Sequence, residues 1–244
     1  GRLGEAAMPA LAAVASLVPP ASRKKGLVNG LKRLVQGAAD APASIGHYRW
    51  MTYLGARGKA RLYDAGFRDA LARSDVYRPV REVLSRFGGD DALNRQLYAD
   101  LVVWLADDIL VKVDRMSMAT SLETRAPFLD TEVMELAFSM PGSLKMRGGQ
   151  RKWVLKEAMR GVLPDRILTR RKEGFSIPIK QWLRGELQPM MRTLLAPERI
   201  RSRGLFAPAE VARLMDEHVA GRHNHAHTLF PLMVFERWAQ AHLD

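Results

Sequence analysis

Helical spacing of apolar residues is the feature that most constrains the fold of this 244-residue chain. After Asp90 the apolar positions recur at intervals that place them on one face of an amphipathic helix. These positions are Leu93, Leu97, Tyr98, Leu101, Trp104 and Leu105. Further helical patterns precede this one, at 3–17, 45–54, 64–73 and 76–87. Others follow it, at 151–161, 178–185, 187–195, 208–220 and 227–242. No run is typical of parallel-sheet strands. The sequence therefore predicts a mainly α fold.

Proline, glycine and acidic residues mark where the predicted helices begin and end. Residues 1–89 carry short helical patterns, and their Gly/Ala/Pro-rich stretch at 22–44 is typical of a linker or mobile loop. Asp107-Asp108 stands where a new helix would begin, at the positive end of its dipole. Asp130 is in position to cap the helix after that. We expect two helical regions, 1–89 and 90–244.

The absence of cysteine excludes several kinds of site within this sequence. Disulfides, thiolate metal sites and a cysteine nucleophile are all ruled out here. Such a composition fits a reducing cytoplasm. The longest apolar runs, such as Leu101 to Ala106, are far shorter than the roughly 20 residues that span a bilayer. We therefore expect a cytoplasmic location and no membrane contact.

Positive charge is concentrated in one part of the chain. The formal net charge is +12, and residues 145–203 contain sixteen Lys/Arg against five Asp/Glu. A field of this sign attracts nucleotide triphosphates, pyrophosphate, nucleic acids or anionic membranes. A solvated basic face without an anionic partner is equally compatible with this composition. Trp153, Phe175 and Trp182 in this tract would suit a nucleic-acid-binding helical module. The tract lacks a recognisable signature of such a module, so a nucleic-acid partner is not expected.

The segment from Lys112 to Asp130 brings charges into a Met/Leu-rich helix and the break that follows it. Buried charges are costly unless they are paired. The segment therefore predicts a specific polar network, which either borders a cleft or joins helices structurally.

A second unusual segment begins with the three cations Arg170-Arg171-Lys172 and continues as Glu173-Gly174-Phe175. Gly174 permits backbone conformations that other residues resist, and Phe175 could anchor the loop in a core. This order predicts either a basic loop held over an anion or a solvated run of cations. In contrast, Gly148-Gly149 lacks the spacing of a phosphate loop and predicts a turn. Alternation of His223, His225 and His227 would splay the rings apart, so no metal site is expected there.

These segments resemble the C-terminal synthetase domain of glutamine-hydrolysing asparagine synthetase. The resemblance covers residues 90–240 well and residues 1–89 loosely. The motifs that carry it, in the family's order, are Leu105-Ala106-Asp107-Asp108, Ser121-Leu122-Glu123, Arg125, Pro127-Phe128-Leu129-Asp130, Leu144-Lys145, Leu163-Pro164, Lys172-Glu173-Gly174-Phe175, Trp182-Leu183-Arg184 and Asn224-His225.

The resemblance implies an α/β parent domain of the adenine-nucleotide-hydrolase-like (PP-loop ATPase) class. The chain would be its mainly helical C-terminal part, with most of the parallel sheet elsewhere. In such enzymes ATP adenylates the side-chain carboxylate of aspartate and releases pyrophosphate, and glutamine-derived ammonia then displaces AMP to give asparagine. The implied cofactors are ATP and Mg²⁺, which we do not expect this chain to bind tightly by itself.

The resemblance also implies roles for individual residues. Lys172 matches the catalytic lysine that contacts the pyrophosphate, where a fixed cation lowers the barrier as negative charge develops. Arg125 and Asp130 belong to a motif that shapes the active-site wall. The residues expected near substrate or pyrophosphate are Asp114, Arg115, Glu123, Arg125, Asp130, Glu173 and Gly174. No metal ligand is assigned.

Three elements of the family pattern do not occur in this sequence. They are the N-terminal cysteine of the glutaminase domain, the Ser-Gly-Gly-x-Asp-Ser pyrophosphate loop and a later Gly-Asp/Glu-Gly-x-Asp-Glu segment that supplies a carboxylate near the reacting centre. We therefore expect a part of a longer synthetase, inactive by itself, whose partner is the absent N-terminal glutaminase domain. Related amide-forming enzymes that adenylate a carboxylate remain open as alternatives, namely β-lactam synthetases and lasso-peptide cyclases. The sequence does not determine the acceptor substrate.

Overall fold

The computed structural model describes residues 43–171 and 177–244, and it is 66% helix and 4% strand. The mainly α prediction is therefore confirmed. The predicted helix at 3–17, and all but the last two residues of the predicted loop at 22–44, lie outside the described residues. Among the described residues, no helix combines the length and apolar character that crossing a membrane requires.

Short helices make up most of the described chain. Up to residue 118 the elements are a 3₁₀ segment (Ala43–Trp50), α1 (Ala56–Leu62), α2 (Ala65–Leu71), α3 (Arg78–Arg86), α4 (Ala92–Ala99), a π-helix (Asp100–Leu110) and α5 (Val111–Met118). Then come a 3₁₀ turn (Pro127–Leu129), α6 (Thr131–Ser139), α7 (Gly142–Lys145), β1 (Met146–Arg147), β2 (Gln150–Arg151), α8 (Trp153–Ala158) and α9 (Asp165–Thr169). The last elements are α10 (Ile179–Trp182), α11 (Gln188–Leu194), α12 (Pro197–Arg203), α13 (Pro208–Val219) and α14 (Ala226–His242).

These elements form two compact units. The described part of the first unit is 43–75 with 177–244, and that of the second unit is 76–171. The polypeptide therefore passes between the units twice, at residue 75 and between residues 171 and 177.

The core of the first unit is built around α14. Its buried apolar residues recur at helical spacing, which places one face of the helix in the core. They are Ala226, Leu229, Leu232, Met233 and Ala239. Helices α11, α12 and α13 add Met191, Ile200 and Val211 to the same cluster.

A buried histidine joins three segments of the first unit. The His218 side chain on α13 is fully buried. Its Nδ1 accepts the backbone N–H of His225 at 3.1 Å, so its Nε2 carries the proton and donates to the carbonyl of Lys180 at 3.1 Å. Burial lowers the pKa of His218 to about 4, and nearby Arg184 acts in the same direction. The neutral ring thus connects α10, α13 and the chain before α14.

A buried carboxylate connects α12 to α14 in the same unit. Glu236 is only 2% exposed, and Arg203 donates to its two carboxylate oxygens at 3.0 and 3.2 Å. Arg203 also donates to both carboxylate oxygens of Asp244, at 2.6 and 2.7 Å. Pairing of this kind compensates the cost of removing Glu236 from water.

The second unit contains an uninterrupted helical path from Ala92 to Met118, formed by α4, the π-helix and α5. The predicted helix start at Asp107-Asp108 is therefore wrong. Trp104 Nε1 and Lys112 Nζ, each four residues from Asp108, donate to its carboxylate at 3.0 and 3.1 Å. Because these donors lie on the adjacent turns, the acidic residue is satisfied inside the helix rather than at its start.

Asp91 fastens α4 to α7 at the other end of this path. Its side chain accepts the backbone N–H of Asn94, which caps α4, and that of Gly142, at 2.9 and 2.6 Å. A Cβ at Gly142 would lie 2.8 Å from Asp91 Oδ1, so the close approach requires glycine. The two backbone N–H groups hold the pKa of Asp91 below its usual value.

Candidate functional site

The segment that carries most of the predicted site residues is fixed at its two ends. At the end of α5, Ser121 adopts a left-handed conformation with φ 56°. The N–H of Leu122 then bonds to the carbonyl of Ser117 and that of Ser121 to Met118, at 2.9 and 3.0 Å. This pair of bonds is the Schellman arrangement, which ends the helix and redirects the chain.

Asp130 fixes the other end of the segment. It is the N-cap of α6, as predicted, and its Oδ1 accepts the N–H groups of Glu132 and Val133 at 3.0 and 3.4 Å. The 3₁₀ turn Pro127–Leu129 precedes it. Asp130 thus fixes the start of α6, and this structural task occupies one of its carboxylate oxygens.

Between these ends, the structure brings Glu123 and Arg125 together. Arg125 Nη2 lies 2.8 Å from Glu123 Oε2, and Arg125 Nη1 donates to the carbonyl of Thr124 at 3.2 Å. The two charged side chains are 80% and 71% exposed. An ion pair so exposed contributes about 0–1 kcal/mol. The pair can therefore exchange its partner for a charged group of a substrate at little cost.

Asp114 and Arg115 are placed on α5, and both are exposed. Neither forms an ion pair with any residue that the structure describes. The polar network expected from this segment is instead the one around Asp108 in the π-helix, which Trp104 and Lys112 complete. The sequence pattern was interpreted as a helix start at Asp108. The spacing of four residues from Asp108 to both Trp104 and Lys112 could instead have predicted the observed contacts within one helix.

The π-helix itself is an unusual element at this place. It spans Asp100–Leu110 and includes the Leu105-Ala106-Asp107-Asp108 motif. Helices of this type are rare and occur frequently at functional sites. Periodicity does not distinguish an α-helix from a π-helix over so few turns, so the apolar pattern did not predict this element.

Lys172, Glu173 and Gly174 lie outside the described residues. The structure describes the chain up to Arg171, and both Arg170 and Arg171 are exposed after α9 ends at Thr169. The prediction that these cations form a loop over an anion stays a prediction.

The predicted turn at Gly148-Gly149 is confirmed. Both glycines have positive φ, 55° and 79°, and they connect β1 to β2 with Arg147 opposite Gln150. The guanidinium of Arg147 lies over the ring of Trp153 at 4.7 Å. This cation–π contact orients the Arg147 side chain over the face of Trp153.

The described residues do not fit a Mg²⁺ site. Mg²⁺ prefers carboxylate oxygens in octahedral geometry, but Glu123 is paired with Arg125 and Asp130 caps a helix. No group of three His, Asp or Glu side chains in the described ranges converges on one point. His225 contacts Glu217 at 2.7 Å instead.

Comparison with known proteins identifies relatives of one enzyme family. The family model described as asparagine synthase matches residues 15–240. The chain is 28% identical to asparagine synthetase (glutamine-hydrolysing) 1 of Bacillus subtilis over 77% of its length, and 37% identical to a Mycobacterium tuberculosis protein provisionally named as such a synthetase over 71%. A carboxyethyl-arginine β-lactam synthase of Streptomyces clavuligerus is 34% identical over 39% of the chain and 21% of its own length. No solved structure matches the chain significantly.

The chain spans only part of these relatives. Its match covers 30% of the Bacillus subtilis synthetase and 26% of the Mycobacterium tuberculosis protein. The matched region includes α5, the segment 119–130 and residues 172–176.

Proposed function

The chain belongs to the asparagine synthase family, and from this membership we propose that it is part of an ATP-dependent amidotransferase that makes asparagine. The observation that carries the proposal is the family match over residues 15–240. In the proposed reaction, a side-chain carboxylate oxygen of aspartate attacks the α-phosphorus of ATP. The bond to the β-phosphate oxygen breaks, and pyrophosphate leaves with its electron pair. Ammonia released from glutamine then attacks the acyl carbon, loses a proton and displaces AMP.

Lys172 is the residue proposed to act on the reacting atoms. Its ammonium would stabilise the negative charge that develops on the departing pyrophosphate. The charge of the surrounding tract supports this role, because sixteen Lys/Arg lie between residues 145 and 203. Glu173 and Gly174 would shape the same loop.

Arg125 and Glu123 are proposed to bind polar groups of the substrate at the active-site wall. Their exposed ion pair supports this, since either charge can change partner at little cost. Asp130 is proposed as a positioning residue that acts through the cap of α6. Asp114 and Arg115 are proposed to lie in the vicinity, on the exposed surface of α5.

Other parts of a longer synthetase would provide the glutaminase domain and the nucleotide loop, and would bind ATP. The chain matches only 30% and 26% of the length of two relatives, which supports that division. By itself the chain should release no pyrophosphate when incubated with ATP, Mg²⁺, aspartate and ammonia. Catalytic release above the level of a Lys172→Ala variant would refute the proposed division of labour.

A chimeric synthetase tests the role of Lys172 directly. In it, this chain replaces the matched region of the Bacillus subtilis synthetase. Lys172→Ala should lower kcat for asparagine formation by about 10²–10³, with a smaller effect on the KM for aspartate. Glutamine hydrolysis should persist. Arg171→Ala is the matched control and should change the rate only a few fold; equal losses at both positions would show a diffuse field instead of one catalytic lysine.

A β-lactam synthetase is the second candidate, favoured by the match to the Streptomyces clavuligerus enzyme. The two candidates differ in the acceptor, and the chimera separates them when it is offered aspartate or carboxyethyl-arginine. Pyrophosphate release that depends on carboxyethyl-arginine and not on aspartate would favour the second candidate.

A further inference from the structure

Helix α14 is apolar on two opposite sides, and the first unit covers only one of them. The inward side packs in the core of that unit, as described above. The outward side carries Phe230, Val234 and Trp238, which remain 38%, 52% and 50% exposed. A helix that is apolar all round is typical of a helix buried on all sides. The outward side of α14 therefore has the character of a contact surface.

The outward side is a continuous row of apolar side chains. At roughly 100° per residue, residues 230, 234 and 238 follow one another along the helix, with positions 231 and 241 beside them. The ring of Tyr53 extends the row, because it stacks on the ring of His227 at 4.4 Å and is 58% exposed. We call this surface the α14 face; its residues are Tyr53, Phe230, Pro231, Val234, Trp238 and Ala241.

The exposure of the α14 face does not come from an incomplete core in its own unit. Most of the buried apolar residues that the structure describes lie in the first unit, in one continuous cluster around α14. The charges of this helix also avoid the row, since Glu236 is buried on the inward side and Arg237 lies at the edge. An apolar patch that a well-packed unit leaves exposed marks an interaction site.

The α14 face is self-complementary. Phe230 and Trp238 lie four residues before and after Val234, which is about 6 Å along the helix axis in each direction. When two antiparallel copies of α14 cross at Val234 about a two-fold axis, Phe230 meets the Trp238 of the second copy, and the two valines meet at the axis. Rows of residues spaced by four interdigitate in the commonest class of helix packing. We propose that the chain forms a two-fold symmetric dimer through the α14 face.

The size of the face fits a reversible dimer. An aromatic side chain buries roughly 150–250 Å², so the exposed parts of this face offer roughly 500 Å² per copy and roughly 1,000 Å² in the pair. This area is at the lower end for specific interfaces, where complexes are weak and transient. We therefore expect a dissociation constant in the micromolar range.

The net charge of the chain gives the dimer a recognisable salt dependence. Each copy carries a formal charge of +12, so two copies repel each other outside the apolar contact. Salt screens that repulsion, and the dimer should therefore become stronger as the salt concentration rises. Association bridged by a polyanion would show the opposite trend, because contacts to phosphates weaken with salt.

Sedimentation equilibrium of the nuclease-treated chain tests the dimer. The average mass should rise with protein concentration from 27.4 kDa toward twice that value. Val234→Arg brings two guanidinium groups together at the two-fold axis and should weaken association at least about tenfold, whereas Val113→Arg should change it by less than about twofold. Val113 is the matched control, because it is a valine that is 42% exposed on helix α5 of the second unit.

Three results of this experiment would overturn the proposal. One is a mass that stays at the monomer value at every concentration. Another is an equal loss of association in both variants, which would place the contact on the second unit as well. The third is association that weakens as salt is added, which would identify a bridging polyanion.

Cross-linking gives a second measurement that does not depend on the folding of Val234→Arg. The chain contains no cysteine, so Val234→Cys places one thiol per copy at the two-fold axis. A short bismaleimide should join two copies of this variant much faster than two copies of Val113→Cys. Equal yields at the two positions would count against the α14 face as the contact. Neither measurement uses asparagine formation, so the outcome is independent of the proposed function.

Discussion

At the scale of single residues, His218 makes the stability of the first unit depend on pH. Its Nδ1 accepts a backbone N–H, so protonation breaks that bond and places a charge in a fully buried position. A histidine whose folded-state pKa is about 4 contributes stability that is present above its unfolded pKa of 6.5 and is lost as pH falls toward 4. We expect the free energy of unfolding to fall by about 2 kcal/mol between pH 7 and pH 5 from this residue.

Urea unfolding at several pH values measures the effect. His218→Gln should be less stable at pH 7 and should show a flatter dependence between pH 7 and pH 5. His242→Gln is the control, because it makes the same substitution at an exposed histidine at the end of α14. Burial also lowers the pKa of His225, which adds to the slope with the same sign. Burial opposes ionisation of Glu217, but hydrogen bonds from His225 and Arg213 outweigh it and hold its pKa below the usual value. An identical slope in the wild type and His218→Gln would contradict the assignment.

Sequence reasoning identified some residues of this kind and missed others, for physical reasons. The cap at Asp130 was predictable because capping depends on the residue and its immediate neighbours. The pairing of His218 with Lys180 and His225 was not, because it depends on tertiary packing between separate elements. The position of Asp108 was misjudged because an acidic residue before a helical pattern only weakly predicts a helix start. Hydrogen bonds from Trp104 and Lys112 on the adjacent turns stabilise Asp108 inside the helix instead.

At the scale of secondary-structure elements, the contact between α12 and α14 depends on a charge pair. Arg203→Ala would leave the carboxylate of Glu236 buried without its main partner, although Arg199 at 3.7 Å would remain nearby. Breaking a buried pair in this way costs about 3 kcal/mol. We expect a corresponding loss in the free energy of unfolding, measured by urea denaturation with tryptophan fluorescence.

Two further variants show whether the geometry of that pair matters. Arg203→Lys should recover only part of the loss, because an ammonium cannot replace the planar fork that contacts both Glu236 and Asp244. Arg160→Ala removes the exposed pair with Glu157 and should change stability by less than about 1 kcal/mol. A loss of equal size in Arg160→Ala would show that burial does not set the cost.

The elements themselves were predictable to different degrees. Helix α14 and helix α13 were expected at nearly their observed bounds, because their apolar residues recur over several turns. Helix α1 and helix α12 were not expected, since each has only seven residues and local propensity over such a length is weak. The π-helix was not expected because it differs from an α-helix only in its hydrogen-bond register.

At the scale of the whole molecule, the two units should differ in local stability. The first unit has a continuous buried apolar cluster that includes Met191, Val211 and Leu229, whereas α5 of the second unit has no buried residue. Local opening requires less free energy where fewer apolar groups are buried. Hydrogen exchange of the separate chain should therefore be at least about tenfold slower for amides of α13 and α14 than for amides of α5 and α6, after correction for intrinsic rates. Equal protection of the two sets would contradict this difference in local stability.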